Sequence, residues 1–351
     1  MSTDFGASLL DRLQGSEPTE AQLKKMSFLE EKRSRIDVDC LRDNTLKMRD
    51  WYNERDAFVN GNDEIKENFW VRVFANAPSE IDQYIMTPDA AALGSTLKNL
   101  KVDRFELNEQ GQGEPRSIRL TFEFRTGEEN QFFENEKLIK ELYWRRRSVK
   151  TADGKTKSWE GLVSEPVRIQ WKKDMDLTKG LLDAACDLAE AEKGGKDRKK
   201  LPELEKLKNK IVELETTADQ EEDEDEDFPL SPAGASFFAF FGYRGNDVTA
   251  EESKAATKQA DERFAQLSKG ETVEEEEEEE DEEFEDIEVF PDGEQLAIAI
   301  ADDLWPHALE LFNRDEGMDI EELEGDLEDE DEDEEDEDDE EDTRPKKKTK
   351  V

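Results

Sequence analysis

Between Pro18 and Gly61 the chain contains neither Gly nor Pro, and apolar residues recur on a narrow stripe: Met26, Leu29, Ile36, Cys40, Met48, Trp51 and Phe58. Their intervals fit alternating steps of three and four, the period of one helix face. The pattern predicts a single helix over residues 19–60, about 60 Å long at 1.5 Å per residue. Thr19 and Gln22 stand at capping-box spacing at its start. Arg33, Asn44 and Arg55 interrupt the stripe. One long helix cannot bury such a stripe by itself, whereas a two-fold axis lets the stripe of a second copy cover it. An antiparallel or crossed dimer is therefore expected, with packing of the helix on its own domain as the alternative.

After Gly61 the pattern changes to that of an α+β domain. The apolar run Phe69-Trp70-Val71-Arg72-Val73-Phe74 suits a buried helix turn or a strand equally well. Residues 89–100 read as a short helix, helped by Pro88 at its start. Phe105 and Leu107 alternate with polar neighbours, and Ile118, Leu120, Phe122 and Phe124 alternate strictly with Arg119, Thr121 and Glu123, the period of a half-buried antiparallel strand. Residues 110–115 make the intervening loop. A further strand runs over 138–149, Asp153-Gly154 marks a turn before residues 155–159, and Val167, Ile169 and Trp171 repeat the alternation. The expected sheet has about four antiparallel strands and an extending hairpin. That hairpin carries Arg145, Arg146, Arg147, Lys150, Lys155 and Lys157, read as a solvated strand edge whose cations discourage edge-to-edge pairing, with nucleic-acid binding or a localisation surface as the alternative.

Residues 177–193 and 201–215 look like two amphipathic helices, split by Gly194-Gly195, that close one face of the sheet. Five aromatics then fall within seven residues: Phe237, Phe238, Phe240, Phe241 and Tyr243. Rings at this density are assigned to the core.

Charge changes the picture. The 96 acidic residues outnumber the 49 basic ones and leave −47 over 351 residues. Three acidic runs, at 221–227, 274–283 and 326–342, hold 33 of those acids; without them about −14 would remain, an ordinary balance for a globular protein. Such runs repel one another and hold too little apolar surface to pack, so they are expected to be solvated and disordered. A chain of this sign should also repel nucleic acid and anionic membranes, whose ligands need Lys and Arg to neutralise phosphates. The favoured partner is a basic protein.

Two cysteines, Cys40 and Cys186, argue against a disulfide framework, and neither sits in a metal-type spacing. No leader pattern and no window near eighteen apolar residues is present, so an intracellular, soluble protein is expected. The one histidine, His307, lies in an apolar helical pattern, where packing is the safer reading than base catalysis; no phosphate-cradling Gly-rich loop or nucleophile elbow occurs. No enzyme activity, cofactor or metal site is expected. A calcium-binding polyacid would need an organised loop of the EF-hand kind, which the sequence lacks.

Ser236-Phe237-Phe238-Ala239-Phe240-Phe241 after an acidic stretch resembles the signature of the nucleosome assembly protein (NAP) family of histone chaperones. Asn68-Phe69-Trp70 resembles the start of that family's globular domain, and Leu304-Trp305-Pro306-His307-Ala308-Leu309 resembles its final helix. With the long helix, the sheet and the acidic insertion in the same order, the resemblance covers about residues 20–315. The resemblance implies an α+β fold in which a long dimerisation helix joins an "earmuff" domain, an antiparallel sheet packed under helices. It also implies ATP-independent chaperoning of core histones, the 2A–2B pair or the 3–4 pair or both.

The organisation expected is a disordered segment at 1–18, the dimerisation helix at 19–60, the earmuff domain at 61–315 with acidic insertions near 219–227 and 271–288, and a disordered acidic tail at 316–351. Candidate histone-binding acids on the folded part are Glu251, Glu252, Asp261, Glu262, Asp302 and Asp303. In the tail they are Glu328, Asp329, Glu330, Asp331, Glu332, Asp333, Glu334, Glu335 and Asp336. Pro345, Lys346, Lys347, Lys348 and Lys350 resemble a monopartite nuclear import signal, which implies an import receptor and a nuclear protein that also passes through the cytoplasm. An acidic nuclear scaffold or adaptor without histone selectivity is the alternative function.

Overall fold

The computed structural model of the chain describes residues 18–150, 156–195, 198–222, 234–270, 276–278 and 288–314. The acidic tail, its basic end and most of the two acidic insertions lie outside the described residues.

Helix α1 (Glu20–Asn60) starts at Thr19, whose hydroxyl accepts from Gln22 N–H at 3.4 Å while the Gln22 side chain accepts from Thr19 N–H at 2.8 Å. This reciprocal pair satisfies amides that no helix bond can reach. Gly61 closes the helix by donating to the Ala57 carbonyl at 3.0 Å. Three short helices follow, α2 (Phe69–Ala75), α3 (Ser79–Asp82) and α4 (Thr87–Thr96). The ambiguous Phe-Trp run is thus helical, and it buries Phe69, Trp70, Val73 and Phe74.

The sheet has the order β1 (Leu97–Asp103), β2 (Ile118–Phe124), β3 (Lys137–Lys150), β4 (Thr156–Ser164), β5 (Glu276–Glu278). The first four strands are antiparallel neighbours and β5 runs parallel to β4. Strict alternation puts Ile118, Leu120, Phe122 and Phe124 inside.

Three expectations are corrected here. The helix expected to reach residue 100 stops at Thr96, because Leu97, Leu100 and Val102 pair with Phe124, Phe122 and Leu120, and sheet burial outweighs the local helical pattern. Phe105 and Leu107 lie in a turn beyond β1, where the Phe105 ring meets Tyr143 edge-on at 5.0 Å. Val167, Ile169 and Trp171 join no strand beyond one bridge between Phe133 and Trp171; Val167 N–H instead bonds the Phe241 carbonyl at 2.8 Å. The Asp153-Gly154 turn lies outside the described residues.

Helices α5 (Leu181–Glu192) and α6 (Pro202–Glu222) pack on each other, and the 3-10 turn Phe237–Gly242 lies between α5 and the sheet. Phe122 meets Phe237 and Phe241 at 6.3 and 5.6 Å, and Phe133 meets Phe238 at 5.7 Å. Helix α7 (Ala250–Ser268) leans on β3, and α8 (Gly293–Ala299), a π turn (Ile300–Leu304) and α9 (Ala308–Asn313) finish the described chain against α2 and α3.

Candidate functional site

The aromatic segment is fastened from within. All four rings, Phe237, Phe238, Phe240 and Phe241, are fully buried. Ser236 caps the turn by accepting from Phe238 N–H at 3.1 Å, and it donates to the Asp89 carboxylate at 2.5 Å. The same carboxylate accepts from Phe237 N–H at 2.9 Å and Met86 N–H at 3.1 Å. Burial pushes the Asp89 pKa up, and those three hydrogen bonds oppose the shift. On the other side Lys140, fully buried, donates to the carbonyls of Glu165 and Phe241 at 2.9 Å and of Tyr243 at 3.2 Å. The segment is therefore part of the core.

Helix α1 meets the domain along one face. The Phe28 ring stacks on Phe264 of α7 at 5.5 Å. Arg35 lies over the same ring at 4.3 Å and bonds Asp261 at 2.7 Å and the Ala260 carbonyl at 3.3 Å. Arg42 reaches the Gly113 carbonyl at 3.4 Å. Arg55 is 3% exposed, with its guanidinium 4.5 Å from the Trp305 ring, 5.3 Å from Tyr52 and 5.5 Å from Trp70. It donates to the Trp305 carbonyl at 2.5 Å and to Asp56 at 2.9 Å. Arg55 thus does not break the outer stripe as expected; it belongs to the inner face, where aromatic rings and a carboxylate compensate its charge.

The opposite face of α1 is left uncovered in the single chain. Ile36 is 52% exposed, Phe58 58% and Trp51 39%, and Met26, Leu29 and Cys40 are exposed with them. Leu23, absent from the expected stripe, extends it by one turn toward Thr19. Met48 departs from the stripe: it is half-buried and lines a groove of about 1000 Å³ between α1, the β1–β2 connection and the turn at Trp305.

The candidate acids of the folded part lie on α7 and on the π turn. Glu252 closes a capping box with Thr249, whose backbone and hydroxyl hold its pKa down, helped by Arg147. Asp261 is paired with Arg35, and Asp302 with Arg104. Glu262 lies 3.8 Å from Lys258, and Glu251 is exposed. Asp303 is exposed beside Asp302, and partial desolvation and then that neighbouring charge push its pKa up. On α5, Asp183, Asp187 and Glu190 surround Arg168 at 2.8, 2.7 and 3.4 Å. Asp183 and Asp187 also line a 390 Å³ groove of mixed charge with Glu203, Glu213, Lys206 and Lys210, in which Lys210 pairs with Glu213 at 2.7 Å. The sequence signal for the cluster around Arg168 is the spacing of four and then three along α5, which puts the three acids on one helix face. The tail acids Glu328, Asp329, Glu330, Asp331, Glu332, Asp333, Glu334, Glu335 and Asp336 lie outside the described residues, as do Pro345, Lys346, Lys347, Lys348 and Lys350.

Among the described residues no group of three His, Cys, Asp or Glu side chains is placed to hold a metal ion, and no helix is long and apolar enough to cross a membrane. His307 is exposed, with Nδ1 2.8 Å from the Asp303 carbonyl oxygen.

Comparison with known proteins gives three findings. Residues 14–315 match the family described as nucleosome assembly protein (NAP). A curated Schizosaccharomyces pombe protein named as a nucleosome assembly protein is 38% identical over 110 residues, which is 31% of this chain and 42% of that protein, so the match spans less than half of the relative. Among solved structures, that of Ccp1 is 20% identical and is covered to 98%, against 84% of this chain, at a TM-score of 0.46. That of Vps75 is 17% identical with the same two coverages at 0.45.

Proposed function

Because the chain belongs to the nucleosome assembly protein family, we propose that it is a histone chaperone that works without catalysis, by covering the basic surface of core histones. Core histones present arcs of Arg and Lys that otherwise collapse onto DNA. A run of carboxylates can meet those arcs in many registers and release counterions as DNA does. Acids fixed on a folded body add orientation that such runs lack. The histone is then surrendered where its ordered contacts with DNA outcompete the chaperone.

The observation that carries this reading is the concentration of 33 acids into three runs attached to a folded body that is itself of ordinary charge. On that body, Glu203 of α6 joins Glu251, Glu262 and Asp303 as a proposed contact. Two copies joined through the α1 stripe would present two such surfaces together. The Lys-rich end at 345–350 is proposed to be read by an import receptor, giving a nuclear protein.

The test is a titration of full-length protein, and of a form ending at Asp326, with the 2A–2B and 3–4 histone pairs and with lysozyme at moderate salt. Submicromolar binding of a histone pair, much tighter than that of lysozyme, is the expected outcome. Equal binding of histones and lysozyme would favour the acidic scaffold, and no submicromolar binding by either form would remove the chaperone reading.

A further inference from the structure

The hairpin formed by the outer halves of β3 and β4 projects past β2, whose pairing with β3 ends at Ile118 and Leu142. A bare two-stranded ribbon of this kind exposes a row of unpaired amides and carbonyls along each edge. Here neither edge is bare. On the β3 side, Arg146 N–H donates to the Ser253 hydroxyl of α7 at 3.0 Å. On the β4 side, Thr156, Lys157 and Ser158 pair in parallel with Glu276, Glu277 and Glu278. Residues 145–149 and 156–159 are accordingly half-buried, so the expectation of a solvated edge is corrected. Both covers come from one stretch of chain, α7 and the acidic run that follows it.

Charge explains why this run suits that edge. Arg146, Arg147, Lys150 and Lys157 sit on the hairpin, and Glu160 pairs with Arg146 at 2.5 Å. The run at 274–283 is acidic at all ten positions. Backbone pairing supplies the geometry and the opposed charges supply the attraction. Yet the pairing is short, three residues in the less stable parallel arrangement. A uniform run also fixes no register, since sliding it by one or two residues changes no side-chain contact. A strand of that kind is held weakly and can be exchanged.

We propose that the β4 edge at Thr156–Ser158 is a docking edge for an extended acidic peptide, with the chain's own Glu276–Glu278 as its resident strand, released when a basic ligand takes the acidic run. This rests on the reading of the acidic runs as receptors for basic partners. Ligand binding to the run and occupation of the edge are then competing states, so a bound histone is coupled to an uncovered cationic hairpin. The hairpin restrains the run in the empty protein and is open to a second, anionic partner in the loaded one.

Amide hydrogen exchange at Thr156–Ser158 in the full-length protein tests this. Replacing all three residues (Glu276→Pro, Glu277→Pro, Glu278→Pro) removes the ladder donors without touching the core, and exchange is expected to accelerate about tenfold or more. Poly-L-lysine should bring the wild-type rate to that of the variant and leave the variant unchanged. Equal rates in wild type and variant would overturn the pairing, and bound poly-lysine with no acceleration would overturn the exchange. Histone pairs that bind yet leave the rate unchanged would also overturn the exchange while leaving the chaperone reading in place. Release by poly-lysine without any histone binding would uphold the docking edge and remove the chaperone reading.

Discussion

Lys140 occupies an inward position of β3, between Leu138 and Leu142, where alternation calls for a hydrophobe. Its three carbonyl partners use all three ammonium donors, yet burial pushes its pKa well below that of a free lysine; Cys186 and Glu165 oppose the shift and Arg244 adds to it. Two of the carbonyls keep another donor, Val167 N–H on Phe241 and the Ser164 hydroxyl on Tyr243. Replacement Lys140→Met should therefore orphan mainly the Glu165 carbonyl, a loss of about 1–3 kcal/mol. The sign with pH follows from proton counting. With the folded pKa depressed, the unfolded chain binds more protons between that value and 10.5, so wild-type stability rises with pH across the window. The Met variant lacks this rise. Denaturant unfolding at pH 7 and near pH 10 should show the gap between the two proteins widening, and a gap that narrows would contradict the assignment.

At the scale of elements, α1 has one face packed on the domain and one exposed apolar face, and the apolar stripe of the sequence marks the second. Phe28, Arg35 and Arg42 touch the domain, while Met26, Ile36, Trp51 and Phe58 point away. Ile36→Glu combined with Trp51→Glu should leave the monomer folded, because both side chains are exposed within one chain. In a two-fold interface each change counts twice. At about 1.5–3 kcal/mol per buried apolar side chain, each substitution should weaken the dimer by about two to four orders of magnitude. Sedimentation equilibrium reads the outcome, and an unaltered dimer would place the interface elsewhere. The ends of α1 were legible because Thr19, Gln22 and Gly61 act locally, and β2 was legible because one face is wholly buried. Strand β1 was not, since its identity depends on pairing with β2 and a bulge between Leu97 and Asn99 breaks its alternation. The candidate acids could not be sorted for a similar reason. Whether Asp261 or Asp302 faces water or an arginine is decided by partners 226 and 198 residues away in the chain.

For the whole molecule the governing quantity is how charge is distributed, with 16 acids in the tail block alone. Binding to a polycation by such a chain should weaken steeply with salt, and the steepness should follow the number of acidic contacts. Between 50 and 200 mM salt the affinity for a histone pair is expected to fall on the order of 10³-fold for full-length protein, by analogy with phosphate contacts in DNA. The form ending at Asp326 should show a visibly shallower slope of log affinity against log salt in fluorescence titrations. Identical slopes would mean that the tail takes no part in the contact. The arrangement of the core bears on synthesis as well. Lys140 and the inner face of the sheet wait for Phe241 and Tyr243, partners 101 and 103 residues downstream. At ribosomal speeds of about 5–20 residues per second, a nascent chain carries an unlidded, greasy sheet for on the order of 5–20 s. During that interval the growing polypeptide is itself a client in need of shelter.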